Sequence, residues 1–346
     1  MFHRLRGAAI VRLLVALLVL PLALSACSGP EAVNVYSARQ EALIKPLLDR
    51  FSAETGIAVN LVTGDGDALL ARLRNEGLNS PADLLLTSDA GNLYRAQQAD
   101  LLQAVTSPAL EAAVPVHLRS DEGFWFGLSL RARVLVYAPD RVDPGALSDY
   151  AALADPSWRQ RICVRSSSNI YNQSMVAGML ATQGAEATED WLEGFVANFA
   201  RPPQGGDRDQ IKAVASGQCD VALVNSYYLG GMLRSDNAEE RAAAEQVRLF
   251  WPNQAGRGVH INISGAGVTR SAAHPEKARQ LIEFLLREDS QQWYAEANNE
   301  YPVRPGIAPS TLLQSWGEFR ADPLQVSELG RLNAAAVMAM DRANWK

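Results

Sequence analysis

Val33-Asn34-Val35-Tyr36, the run Gln40 to Glu54, and Ile57-Ala58-Val59-Asn60-Leu61-Val62 form the stretch on which the fold turns. The first four residues read as a strand. Leu43, Leu47, Leu48 and Phe51 then recur on one face of a helix over 40–54. Gly56 closes that helix, and a second strand runs from Ile57 to Val62. The same order repeats beyond the Gly64-Asp65-Gly66 turn, with a helix over 67–75, a strand over 83–87 and a helix over 89–98. Gly64-Asp65-Gly66-Asp67 lacks the spacing of a calcium loop and reads as a turn with a helix cap. Strands alternating with helices imply right-handed crossovers and a parallel sheet covered on both faces.

Phe124 to Leu128 and Arg133 to Ala138 read as two further strands joined through 129–132. A second α/β block follows, with helices over 172–183, 188–199 and 208–216, and a strand over 220–225. Strands at 247–250 and 260–264, helices over 275–288 and 290–297 and a mostly helical tail over 310–345 complete the chain. No internal repeat or low-complexity linker separates the two blocks. The expectation is an α/β protein of two lobes, each a mainly parallel sheet flanked by helices. The chain would cross between lobes more than once, with the ligand in the cleft at the strands' carboxyl ends.

The N-terminus sets the compartment. Arg4, Arg6 and Arg12 lie in or beside an apolar run from Ala8 to Ala26 that contains no acid, the pattern of an export signal. Leu24-Ser25-Ala26-Cys27 looks like a bacterial lipobox, which makes 1–26 a lipoprotein signal peptide and Cys27 the lipidation site. Ordinary cleavage after Ala26 is the alternative. The whole chain of 346 residues, a length for about two domains, carries 32 basic and 38 acidic residues. Without 1–26 it carries 29 basic and 38 acidic, a net charge of −9. That excludes a basic nucleic-acid surface and suits a cationic ligand. Cys163 and Cys219 remain, an even pair in an oxidising compartment; a disulfide is the simplest reading, two buried thiols the other.

Catalytic patterns are absent. Ser235-Asp236-Asn237 has no accompanying Ser-x-x-Lys, and no G-x-S-x-G, H-E-x-x-H or C-x-x-C occurs. Only His117, His260 and His274 remain after the signal, a poor supply for zinc or copper. Tyrosine is better placed. Tyr227 and Tyr228 directly follow an apolar strand, and Tyr171 follows Ser166-Ser167-Ser168-Asn169 at another strand-to-helix junction. Three phenols at cleft-facing junctions suit a hard trivalent cation, which shifts a group of pKa ~10 toward its anion. Packing of an isolated tyrosine pair is the blander reading.

At these residues the sequence resembles the ferric-iron-binding proteins of bacterial ABC-type iron uptake. The likeness runs from about Val33 to Arg304. It rests on Val35-Tyr36-Ser37-Ala38-Arg39, Asn79-Ser80-Pro81-Ala82-Asp83, Arg165 to Ser174, Asn198 to Gly205, Asn225-Ser226-Tyr227-Tyr228 and Glu300-Tyr301-Pro302-Val303. It implies a type II periplasmic binding protein that is not an enzyme, a monomer that delivers Fe³⁺ to an inner-membrane ABC permease. The lobes implied are 32–129 with 262–305 and 130–261 with 306–346. Tyr171, Tyr227 and Tyr228 would be the metal ligands.

The sequence departs from that family where it often has a His-Tyr pair after the first strand. Gln40 and Glu41 stand there. Either Glu41 supplies a carboxylate to the metal, or a synergistic carbonate or bicarbonate fills the open positions, held by Arg39, Arg131 or Arg133. For Arg133 an inter-lobe ion pair is the competing expectation. The rival functions are a binder of another small ligand, such as an oxyanion or a thiamine-like molecule, and a hydrolase or scaffold lipoprotein.

Overall fold

A computed structural model describes residues 32–346. Residues 1–26 and Cys27, with the export and lipidation readings they carry, lie outside the described residues.

The strands are β1 (Ala32–Ser37), β2 (Ala58–Thr63), β3 (Leu84–Thr87), β4 (Phe126–Tyr137), β5 (Ile162–Cys163), β6 (Val221–Asn225), β7 (Arg248–Phe250), β8 (Ile261–Val268) and β9 (Tyr301–Pro302). In one half of the sheet β1 lies between β2 and β3, all three parallel, and β8 runs against β3. In the other half β4 runs against both β6 and β7, while β5 and β6 are parallel. Each half is therefore mainly of one direction, opposed by β8 and the short β9 in the first and by β4 in the second. β4 spans both halves. β4 pairs with β8 through 126–132 and with β6 through 133–137.

The sequence suggested two strands where β4 is one, every residue of it buried. Arg131 and Arg133 lie buried within it. Buried Leu128, Val134, Leu135 and Val136 on the same strand each contribute about 1.5–3 kcal/mol. That burial offsets the cost of carrying two arginines through the core.

The first helix also differs. It runs as α1 (Lys45–Thr55), preceded by a single 3₁₀ turn at Glu41–Leu43. Pro46 has no N–H to give and its ring would meet the carbonyl four residues before it, so a helix can start there but not pass through. Gly56 ends the helix at φ 74°, a left-handed conformation open to glycine.

The helices α2 (Gly66–Glu76) and α3 (Ala90–Gln98) follow β2 and β3, capped by the Asp65 and Asp89 carboxylates respectively. In the second block α4 (Ile170–Gln183), α5 (Asp207–Ala215) and α6 (Ser226–Leu233) surround β5 and β6. The chain then returns through β8, α7 (Pro275–Leu285) and α8 (Glu288–Ala297). In the tail, α9 (Ser327–Arg331) packs on both α3 and α4, with Gly330 directly against the Tyr94 side chain. A disulfide joins Cys163 on β5 to Cys219 before β6, with Cα atoms 5.8 Å apart, an unstrained separation. Among the described residues no helix is long and apolar enough to cross a membrane.

Candidate functional site

A cleft of about 750 Å³ opens where β1, β6 and the start of α4 end, as expected at the carboxyl edges of a parallel sheet. One wall is built by Arg39, Gln40 and the loop Asn298-Asn299-Glu300. The other carries Tyr171, Tyr227, Tyr228 and Arg234. Arg131 lies at the floor between them, buried on β4.

Local sequence places the phenols. Asn169 caps α4 by accepting from the Tyr171 N–H at 3.1 Å, which sets Tyr171 in the first turn. α6 begins at Ser226 directly after β6, so Tyr227 and Tyr228 also fall in a first turn. The Tyr227 hydroxyl is 3.4 Å from that of Tyr171, and the Tyr227 and Tyr228 rings lie 4.2 Å apart between centroids. Burial, with the nearby Tyr171 and Tyr228, holds the Tyr227 phenol well above its ordinary pKa. Burial and the neighbouring Tyr171 and Asp207 push Tyr228 up to about 12. Both phenols are therefore protonated until a cation arrives.

Positive charge surrounds them. The Arg131 and Arg165 guanidiniums lie 5.2 and 5.6 Å from the centre of the Tyr171 ring. Arg39 and Arg131 both donate to the Ser264 hydroxyl, Arg131 at 3.1 Å. Arg39 is neutralised by Glu300 at 2.9 Å. Arg131 has no such partner: its Nε and one Nη are buried without a hydrogen-bond acceptor. An unpaired buried guanidinium is costly unless a ligand supplies oxygen atoms. Among the described residues no three His, Cys, Asp or Glu side chains gather as a metal-ligand group. Burial, with Arg257, Arg133 and Arg131 nearby, pushes the pKa of His260 down to about 3, so it stays neutral. The cleft thus offers phenol oxygens and the Arg131 guanidinium, a donor set for a hard cation and an oxyanion.

The model of bacterial extracellular solute-binding proteins matches residues 79–315. The chain belongs to that family. This solute-binding protein is 47% identical to iron uptake protein A1 of Synechocystis sp., over 91% of its own length and 88% of that relative's. It is 43% identical to iron uptake protein A2 of the same organism, over 96% and 95%. Its fold matches the structure of Trichodesmium IdiA (FutA) in complex with iron and citrate ligands. The TM-score is 0.88 at 48% identity, and the match covers 91% of this chain and all of that one.

The residues singled out in the sequence do not all meet. Tyr171, Tyr227, Tyr228, Arg39 and Arg131 do. Glu41 does not: in the 3₁₀ turn its neighbour Gln40 lines the cleft, while Glu41 is exposed and outside the lining. Arg133 does not either. It is buried beneath the cleft and paired with Asp207 at 2.9 Å, so it is neither an anion ligand nor an inter-lobe bridge. Sequence reasoning missed Arg234, whose guanidinium donates to the Glu296 carbonyl on the opposite wall. It also missed Glu300 as the partner of Arg39. Glu300 stands in a stretch that carried the family likeness, and its charge beside an apolar strand was the available signal.

Proposed function

We propose that this protein captures ferric iron between its lobes and delivers it to an ABC permease. Tyr171, Tyr227 and Tyr228 supply phenolates, three charges against the three of Fe³⁺. Convergence of three phenols in a cleft without a carboxylate or histidine cluster carries this reading. The iron-named relatives support it.

The first wall presents Gln40 and an already paired Arg39, so a bound oxyanion completes the metal's coordination. Arg131, with unpaired donors buried at the cleft floor, holds it. Bicarbonate or carbonate is the simplest such anion. The cleft volume of about 750 Å³ leaves room for a larger one, and the Trichodesmium neighbour is a complex with iron and citrate. In the cell we place the protein outside the cytoplasmic membrane, with residues 1–26 removed and Cys27 lipidated. The lobes comprise 32–129 with 262–305 and 130–261 with 306–346.

A visible spectrum of the purified protein with ferric chloride and bicarbonate tests this. A broad phenolate-to-iron band is expected, lost in the Tyr227→Phe, Tyr228→Phe double variant. A colourless protein that retains no iron refutes the reading. Replacing bicarbonate by citrate, and Arg131 by Gln, identifies the anion: the preferred anion loses its effect in Arg131→Gln.

A further inference from the structure

Arg133 is among the largest fully buried side chains of the protein and does not reach the cleft. One of its terminal nitrogens donates to Asp207 Oδ2 at 2.9 Å and to Asn225 Oδ1 at 3.3 Å. The other donates to Asn172 Oδ1 at 2.6 Å. These partners sit at the starts of three helices. Asn172 follows Tyr171 on α4, Asn225 stands two residues before Tyr227 at the head of α6, and Asp207 opens α5.

Each partner is tied a second time. Asp207 Oδ2 also accepts the Asn225 backbone N–H at 2.8 Å. Asn172 donates to the carbonyls of Arg165 and Ser166, both at 3.1 Å, which fixes the loop leading to Tyr171. Arg165 returns to Asp207 Oδ1 at 3.5 Å while lying over the Tyr171 ring. Arg133 is itself anchored, its carbonyl accepting the Tyr150 hydroxyl at 2.5 Å.

We infer that Arg133 is the positioning residue of the tyrosine site: the Arg133–Asp207 pair sets the separation of the phenols on α4 and α6. This inference rests on the ferric reading above. The two phenol-bearing helices belong to different strand–helix units, and the Tyr171–Tyr227 hydroxyl contact is long at 3.4 Å, too weak to fix their spacing. A planar guanidinium can hold both asparagines and the carboxylate at once, whereas a lysine is a point charge on a flexible stem. The buried pair resists deformation, because breaking it leaves an uncompensated charge. Its role toward iron is that of an outer-layer partner, touching the residues beside the ligands rather than the metal.

The test compares the wild type, Arg133→Lys and Asp207→Asn, each loaded with ferric chloride and bicarbonate. Three quantities are read: the position of the phenolate-to-iron band, the rate of iron loss to a competing chelator, and Tm. Arg133→Lys is expected to shift the band and to lose iron about 10–100-fold faster, the usual effect of an outer-layer change. A merely structural role would lower Tm and leave the band of the folded fraction in place. If Arg133→Lys does not fold, Asn172→Ser and Asn225→Ser each remove one arm and are read in the same way. Folded variants with the wild-type band and release rate overturn the inference while leaving the ferric reading intact. A wild type without any band overturns both.

Discussion

Gly230 on α6 faces Asn299 on the opposite wall so closely that a Cβ on the glycine would lie 2.7 Å from the Asn299 Cβ. The Tyr227 and Tyr228 helix is therefore pressed against the first lobe at its middle. Arg234, one turn on, hydrogen-bonds the Glu296 carbonyl from the same helix. Asn299 itself stands at φ 55°, in the left-handed region that asparagine tolerates. The helix that carries two of the phenols is also the one that touches the opposite wall.

Gly230→Ala should hold the lobes apart. Forcing a methyl into packed surroundings costs about 1–3 kcal/mol, and 1.4 kcal/mol is about tenfold in affinity. We expect iron affinity to fall about tenfold or more. Small-angle scattering of the iron-loaded variant should give a larger radius of gyration than the loaded wild type. An unchanged radius would show that the helix can shift to accommodate the methyl.

The disulfide should matter for stability more than for iron. Cys163 and Cys219 are 56 residues apart in sequence, and closing a loop of that size removes about 4 kcal/mol of unfolded-chain entropy. Cys163→Ser with Cys219→Ser should lower urea stability by up to about that amount. Iron affinity should change by less than about threefold, because Arg133 and its partners fix the phenols independently of the sulfurs. A large loss of iron affinity in the folded double variant would contradict this.

Tyr227 and Tyr228 were legible in the sequence as cleft residues because they directly follow β6, and Tyr171 because it opens the helix after β5, where the cleft of an open α/β sheet must lie. The two β4 arginines show why the rest was not. Arg131 and Arg133 are two apart on one strand and share a face, which suggested one role for both. Between Ala132 and Arg133 the strand changes partner from β8 to β6, so the same face looks into the cleft at one residue and onto Asp207 at the next. Asp207 lies 74 residues away, and no local pattern announces that pairing. Glu41 is a further case, since Pro46 delays the helix, and in the 3₁₀ turn before it Gln40 lines the cleft while Glu41 does not.

Asp89 adds a pH-dependent term to stability. It is fully buried, caps α3 through the Gly91 N–H at 2.7 Å, and accepts from Ser174 on α4 at 2.9 Å and Asn262 on β8 at 2.9 Å. Burial pushes its pKa up to about 6, against the pull of Arg131, the Gly91 N–H and Ser174. A carboxyl raised on folding favours the folded state most at low pH. That contribution is lost as pH rises from about 4 through 6. Asp89→Asn removes the slope. The stability of the wild type relative to Asp89→Asn should therefore fall by roughly 3 kcal/mol between pH 4 and pH 7, at 1.36 kcal/mol per unit. Parallel urea-stability profiles for the two proteins would refute this.

Iron binding itself should be coupled to proton release. Tyr227 is held above its ordinary pKa by burial and by Tyr171 and Tyr228, and Tyr228 is raised to about 12 by burial, Tyr171 and Asp207. At neutral pH Tyr227 and Tyr228 keep their protons in the metal-free protein, and each must lose one to become a ligand. Protons and Fe³⁺ then compete for the same oxygens, so apparent affinity rises with pH and falls in acid. Tyr228→Phe should therefore release about one proton fewer per ferric ion than the wild type. Calorimetric titration in buffers of different ionisation enthalpy counts them, with a hydroxide-free ferric chelate as donor. If Tyr228→Phe released as many protons as the wild type, that phenol would not be a ligand. The same competition predicts that acidification favours release, through protons returning to Tyr227 and Tyr228.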